Sequence, residues 1–146
     1  LEEINENKEY IRQHSDGKMW FHTGDLGYVN EDGVLFFVGR IKELLKINGE
    51  QVYPSIIKQV IMQHNSIKDC AVIGTCDDTG HKRVLAIAVL NENDKCNQQN
   101  IKHELIDMCK KQLIREAVPM DIVFRDKLPE TNIYKLDINE LREEYT

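Results

Sequence analysis

The spacing of apolar residues changes character about a third of the way along this chain. Before residue 39 the apolar residues come in short runs broken by turn residues. After residue 53 they return at helical spacing or in unbroken blocks. Residues 1–14 (LEEINENKEYIRQH) are polar and predict a helix, and Ser15–Lys18 predicts a turn. Trp20–His22 predicts a short strand leading into Thr23-Gly24-Asp25. Leu26–Val38 predicts a hairpin, with Tyr28 and Val29 on one arm, a turn over Asn30–Gly33, and Val34–Val38 (VLFFV) on the other. Asp32-Gly33 supplies the turn chemistry, because glycine takes positive φ without a Cβ clash. Gly39–Gly49 (GRIKELLKING) is a basic, glycine-bounded connector and the best candidate for a domain boundary.

Beyond it, Pro54 suits the first turn of a helix, and Ile56, Ile57, Val60 and Ile61 share one helical face. Cys70–Thr75 and Val84–Leu90 are continuous apolar runs of strand length, separated by a turn-rich loop at Asp77–Gly80. Asn97 or Asn100 can cap a helix whose face is Ile101, Leu105, Met108, Cys109 and Leu113. Pro119 ends that helix, Ile122–Phe124 predicts another strand, and Asp137-x-x-Glu140 opens a last helix with a capping-box pattern. The predicted class is α+β: a small mixed sheet of about three strands flanked by helices and preceded by a β-hairpin arm.

Composition narrows the functional classes. A chain of 146 residues with 41% hydrophobic content suits one compact domain with an added arm. The formal net charge of −6 argues against broad nucleic-acid affinity, which needs a basic face. It leaves room for one phosphate-bearing ligand held by a few local lysines. The four cysteines form no CxxC pair, and neither they nor the five histidines show metal-ligand spacing, so no metal site is expected. No signal peptide and no apolar run of about 20 residues is present, which predicts a cytoplasmic protein without a transmembrane segment.

Three segments carry chemistry. In Trp20-Phe-His-Thr-Gly-Asp25, a carboxylate at a tight glycine turn can accept two hydrogen bonds from a vicinal diol such as a ribose. Taken alone, Thr23-Gly24-Asp25 reads first as an Asx-type turn closing a strand. In Gly39-Arg40-Ile-Lys42-Glu-Leu-Leu-Lys46-Ile-Asn-Gly49, the glycines permit close backbone approach to a ligand, although a solvated basic loop fits equally. In Leu128-Pro-Glu-Thr-Asn-Ile-Tyr134-Lys135, a lysine on a loop before a capped helix can reach into a partner site as a mobile point charge. A lone lysine there reads first as a surface charge.

In order and spacing, WFHTGDLGYVNEDG, GRIKELLKINGEQVYP and LPETNIYK resemble three successive motifs of the adenylate-forming superfamily. That superfamily includes acyl- and aryl-CoA synthetases, peptide-synthetase adenylation domains and beetle luciferases. The resemblance runs from about Trp20 to the C-terminus. It implies an ATP-dependent carboxylate–CoA ligase, in the setting of fatty-acid metabolism, that forms an acyl-adenylate with MgATP and passes the acyl group to CoA. Residues 1–41 would end the large N-terminal adenylation domain, and residues 42–146 would form the mobile C-terminal domain. Position by position, the resemblance implies nucleotide-binding roles for Thr23, Asp25 and Arg40, and a hinge at Lys42. It places Lys46 and Gly49 in the loop that serves thioester formation, and makes Lys135 the catalytic lysine of adenylation. Where the family usually has glycine before that lysine, this chain has Tyr134. A Cβ makes positive φ costly, so either the loop backbone differs or Lys135 is delivered differently.

The family's glycine-rich phosphate loop, adenine pocket, acyl pocket and Mg²⁺ ligands belong upstream and do not occur in this sequence, which also begins at Leu1 rather than methionine. The expectation is a fragment, inactive alone, whose partners are its own adenylation domain, a carboxylic acid and CoA. One alternative is an adenylating enzyme that loads a carrier-protein thiol. Another is a stand-alone α+β ligand-binding module, which would start near Leu1 and bind a small ligand unaided.

Overall fold

The computed structural model describes residues 10–145. The chain divides between Glu43 and Leu44 into two compact units, two residues beyond the boundary expected after residue 41.

The first unit consists of two antiparallel ribbons. Strands β1 (Ile11–Gln13) and β2 (Met19–Phe21) pair with Arg12 opposite Trp20. The helix expected over 1–14 falls outside the described residues as far as residue 9, and Ile11–Gln13 is strand instead. The cause is the intervening turn. Asp16 accepts hydrogen bonds from the Lys18 amide at 2.9 Å and the Trp20 indole at 3.1 Å, and Gly17 takes φ 76. That turn folds the segment back on the aromatic run, so it pairs rather than coils. Strands β3 (Asp25–Val29) and β4 (Leu35–Arg40) form the expected hairpin. Its turn is held by Asn30 Oδ1, which accepts from the amides of Asp32 and Val34. Tyr28 and Phe36 stack across the ribbon with centroids 5.1 Å apart.

The expected connector is itself structured. A 3-10 turn at Ile41–Glu43 is followed by β5 (Leu45–Ile47) and β6 (Glu50–Val52), an antiparallel pair joined by Asn48-Gly49. Asn48 at φ 50 and Gly49 at φ 90 supply the two left-handed residues that a two-residue hairpin of this twist requires. The alternation of Leu45 and Ile47 with Lys46 is the strand signal that the basic residues obscure.

The second unit continues with α1 (Pro54–Ile61), which buries Ile57, Val60 and Ile61 while Ile56 stays 38% exposed. Strands β7 (Ile67–Cys76) and β8 (Lys82–Leu90) are antiparallel, and β9 (Asp121–Arg125) lies parallel to β8. This is the three-stranded mixed sheet expected, in the order β7-β8-β9. A parallel neighbour requires a crossover, provided by α2 (Gln98–Gln112). Asn97 occupies the N-cap position of α2 without a side-chain bond, and Leu113 leaves the helix in extended conformation but still packs on the core. The last helix, α3 (Ile138–Tyr145), is capped by Asp137, whose Oδ1 accepts from the amides of Asn139 and Glu140.

Each face of the sheet has its own cover. Cys70, Val72, Val84 and Ala86 pack with Ile47 and Val52 of the β5–β6 hairpin and with residues of α1 and α2. Ala71, Ile73, Leu85 and Ile87 pack with Leu128 and with Leu141 of α3. Helix α3 is tied down by the Thr75 hydroxyl, which donates to the Tyr145 carbonyl at 2.6 Å, and by an ion pair between Arg125 and Glu144. Among the described residues no helix is long and apolar enough to cross a membrane.

Cys70 and Cys109 are buried in the first of these clusters. Loss of hydration pushes their thiols up to about 12 and about 11. Cys76 and Cys96 are exposed. At about pH 8 a thiol–disulfide reagent should therefore modify Cys76 and Cys96 in the native protein and reach the other two only in denaturant. Labelling followed by peptide mass analysis checks this, and rapid native labelling of Cys70 or Cys109 would contradict the packing.

Candidate functional site

Thr23, Asp25 and Arg40 converge at one end of the β3–β4 ribbon. Gly24 takes φ 75, and its carbonyl accepts the Ile41 amide at 2.8 Å, closing the ribbon's end. The Thr23 hydroxyl accepts the Asp25 amide at 3.1 Å. Asp25 and Arg40 are paired directly across the strands, with Arg40 Nε 3.2 Å from Asp25 Oδ1. The guanidinium side chain is 63% exposed and the carboxylate 35%. The pair is worth little for stability in that setting, but it orients a carboxylate beside a cation at an open edge, a suitable arrangement for a ribose next to a phosphate.

That juxtaposition depends on a feature missed in the sequence. The register slips from Leu26 opposite Gly39 to Gly27 opposite Phe37, so β4 carries one residue more than β3 over this stretch. A Cβ on Gly27 would lie 2.6 Å from the Phe36 carbonyl oxygen. Only glycine permits this approach, and an isolated glycine in a strand pattern was the available signal. Lys42 follows in the 3-10 turn, with Nζ 3.4 Å from the Tyr10 hydroxyl.

In the second unit, Lys46 faces Gln51 on the exposed side of the β5–β6 hairpin, and Gly49 forms its tip. Leu45 packs over Gly74 of β7, where a Cβ would come within 2.9 Å of Leu45 Cδ2. Beside this tip opens a cleft of about 740 Å³ whose lining includes Asn48, His81, Arg83, Lys110, Arg115 and Glu116. Three cations against one carboxylate suit a polyanion. No sequence pattern links these residues, since they come from separate elements that only the fold brings together. Arg83 is partly engaged by Asp77, whose carboxylate is held down at about 2, chiefly by the Thr79 hydroxyl bond.

Lys135 stands at the end of a tight turn. The Thr131 amide donates to the Lys135 carbonyl at 2.7 Å, and the Tyr134 amide donates to the Thr131 carbonyl at 2.9 Å. Glu130 and Leu136 bridge beneath it, and the Asp137 amide bonds to the Pro129 carbonyl. Tyr134 has φ 57, so the corner is left-handed despite the Cβ. An L-residue there costs about 1–2 kcal/mol. The surrounding hydrogen bonds and the apolar roots, buried Leu128 and half-buried Leu136, impose the conformation. The structure does not bring Lys46 and Lys135 together: the hairpin bearing Lys46 roots on one face of the sheet, and the turn bearing Lys135 roots on the other. Among the described residues no group of three or more His, Cys, Asp or Glu side chains gathers to hold a metal.

A small mixed sheet with these two loops defines a class, and the comparisons agree: the chain belongs to the AMP-binding enzyme C-terminal domain family, whose model matches residues 57–135. It is 34% identical over 125 residues to the long-chain-fatty-acid–CoA ligase of Escherichia coli, covering 86% of this chain and 21% of that protein. It is 35% identical over 127 residues to the 2-succinylbenzoate–CoA ligase of Listeria monocytogenes, covering 87% of this chain and 26% of the relative. The crystal structure of the anthranilate CoA ligase AuaEII in complex with anthranoyl-AMP superposes with a TM-score of 0.77 at 28% identity, covering 87% of this chain and 24% of that one. The chain thus spans between a fifth and about a quarter of the length of these proteins.

Gly27→Ala should weaken the β3–β4 ribbon by about 1–3 kcal/mol, because the clash is with backbone. The readout is faster amide exchange over Asp25–Val29 with β7–β8 unchanged. Wild-type protection of the ribbon would show that β4 can yield to the Cβ.

Proposed function

We propose that this chain is the C-terminal part of a cytoplasmic, ATP-dependent carboxylate–CoA ligase, and that it contributes in turn to two half-reactions. In the first, the carboxylate of the acid attacks the α-phosphorus of ATP and displaces pyrophosphate, leaving an acyl-adenylate. In the second, the thiolate of CoA attacks the acyl carbon and displaces AMP. The observation that carries this reading is the rooting of Lys46–Gly49 and of Lys135 on opposite faces of one sheet. Loops rooted on opposite faces suit presentation to one reaction centre in turn, through a rotation of residues 42–146 between the steps.

In the adenylating arrangement, Lys135 supplies a cation to the carboxylate and α-phosphate oxygens as charge shifts onto them. Thr23, Asp25 and Arg40 hold the nucleotide, with Asp25 accepting from the ribose hydroxyls. After rotation about Lys42, the β5–β6 tip with Lys46 and Gly49 faces the adenylate. The adjoining cleft with Arg83, Lys110 and Arg115 receives the phosphates of CoA. The names of the relatives favour CoA over a carrier-protein thiol. Their acids differ, in keeping with an acyl pocket outside this chain. The Mg²⁺ ligands and the phosphate loop belong to the large adenylation domain, so the 146-residue chain alone is inactive. The exposed apolar residues of the first unit, among them Trp20, Phe21, Leu35 and Phe37, support its origin in that larger fold.

In the complete enzyme, Lys135→Ala should slow ATP–pyrophosphate exchange by about 10²–10³, the usual cost of losing a transition-state donor. Thioester formation from supplied acyl-AMP and CoA should persist. Equal loss in both half-reactions, or none in either, overturns the assignment. The hinge has its own test. Lys42→Pro fixes φ and restricts Ile41, so it should cut thioester formation while sparing exchange, and Lys42→Ala should cost far less. Equal harm from Ala and Pro would mean that Lys42 acts through its ammonium group.

A further inference from the structure

Among the described residues the same five-residue turn occurs four times, over His14–Lys18, Asn30–Val34, Asp77–His81 and Thr131–Lys135. In each, the first amide donates to the fifth carbonyl and the fourth amide donates back to the first carbonyl. The fourth residue is left-handed in all of them: Gly17 at φ 76, Gly33 at φ 79, Gly80 at φ 81 and Tyr134 at φ 57. Three of the four turns thus use the residue that takes this conformation freely. The fourth seats an aromatic ring on the strained corner, immediately before Lys135.

Tyr134 is 88% exposed and the neighbouring Ile133 68% exposed. Among the described residues the Tyr134 phenol makes no hydrogen bond or ring contact. A strained backbone conformation points outward to function, and an exposed tyrosine beside an exposed isoleucine has the chemistry of an interface anchor. We propose that Tyr134 is a positioning residue: its ring, with Ile133, docks on the adenylate-holding domain of the same protein and seats Lys135 there for acyl-adenylate formation. The occupant follows from the chain's share of its relatives. It spans 24% of a solved ligase that holds an acyl-adenylate, and on the proposed function the remainder of such a chain presents that ligand to this turn.

The inference rests on the reading of Lys135 given above, and the test separates the two. In the complete enzyme, Tyr134→Gly and Tyr134→Asn both suit a left-handed corner but remove the ring. Their thermal midpoints should equal or exceed that of the parent, while ATP–pyrophosphate exchange falls roughly 10- to 100-fold, the scale of a misplaced catalytic group. Thioester formation from supplied acyl-AMP should not follow that fall. Tyr134→Phe keeps ring and strain together and should rescue exchange. If Tyr134→Gly and Tyr134→Asn exchange pyrophosphate at the parent rate while Lys135→Ala is slow, the docking role is wrong and that of Lys135 stands. If Lys135→Ala also exchanges normally, both fall.

Discussion

Seven consecutive residues of β8, Val84–Leu90, are buried, and successive side chains along a strand point to opposite faces. The central strand of this sheet therefore cannot be satisfied from one side. Each face needs a separate apolar cover, and the chain supplies them from distant segments. The β5–β6 hairpin with α1 and α2 covers one face, and the segment from Leu128 through α3 covers the other. On the proposed reading the covers carry the chemistry as well as the burial. Lys46 and Gly49 belong to the first and Lys135 lies within the second, so the demand of one strand for two covers sets the two loops apart. On the proposed reading, the need for rotation between half-reactions is a consequence of sheet packing.

The covers are also what give the loops rigid roots. Ile47, beside the tip of the β5–β6 hairpin, and Val52, at its base, are almost fully buried, which anchors a ribbon whose Lys46, Asn48 and Gly49 stay exposed. Leu128, Leu136 and the cap at Asp137 do the same for the Lys135 turn. A flexible lysine on a fixed base can deliver charge to a defined place while keeping reach. The Arg40–Asp25 pair in the first unit achieves a comparable end differently, through cross-strand register and the close approach allowed by Gly27.

Tyr134 shows where local preference and tertiary demand part company. By local energetics the corner belongs to glycine, as it does in three equivalent turns of the same chain. Here the flanking hydrogen bonds and the packing of Leu128 and Leu136 determine the backbone, and Tyr134 accepts the strain. This is the pattern expected at a functional position, where one local rule is broken while the surroundings hold the geometry.

The sequence alone determined the elements that rest on local periodicity and turn chemistry: the β3–β4 hairpin, α1, the two long strands, α2, β9 and the capped α3. It also carried the three motifs in order, since a motif is a local object. It misread Ile11–Gln13 as helix, because that strand exists only through a partner folded back by Asp16 and Gly17. It misread the β5–β6 hairpin as connector, because the charges of Lys42 and Lys46 masked a short alternation that becomes decisive only when Leu45 and Ile47 have a sheet to pack on. Only the tertiary structure decided the rest: the register that sets Asp25 against Arg40, the cleft joining Arg83, Lys110 and Arg115, and the left-handed corner at Tyr134. It also decided that Lys46 and Lys135 lie on loops rooted in opposite faces. The register is set by pairing across the β3–β4 ribbon, the corner by the turn around Tyr134, and the cleft and the two loop roots by segments that burial of the shared sheet draws together.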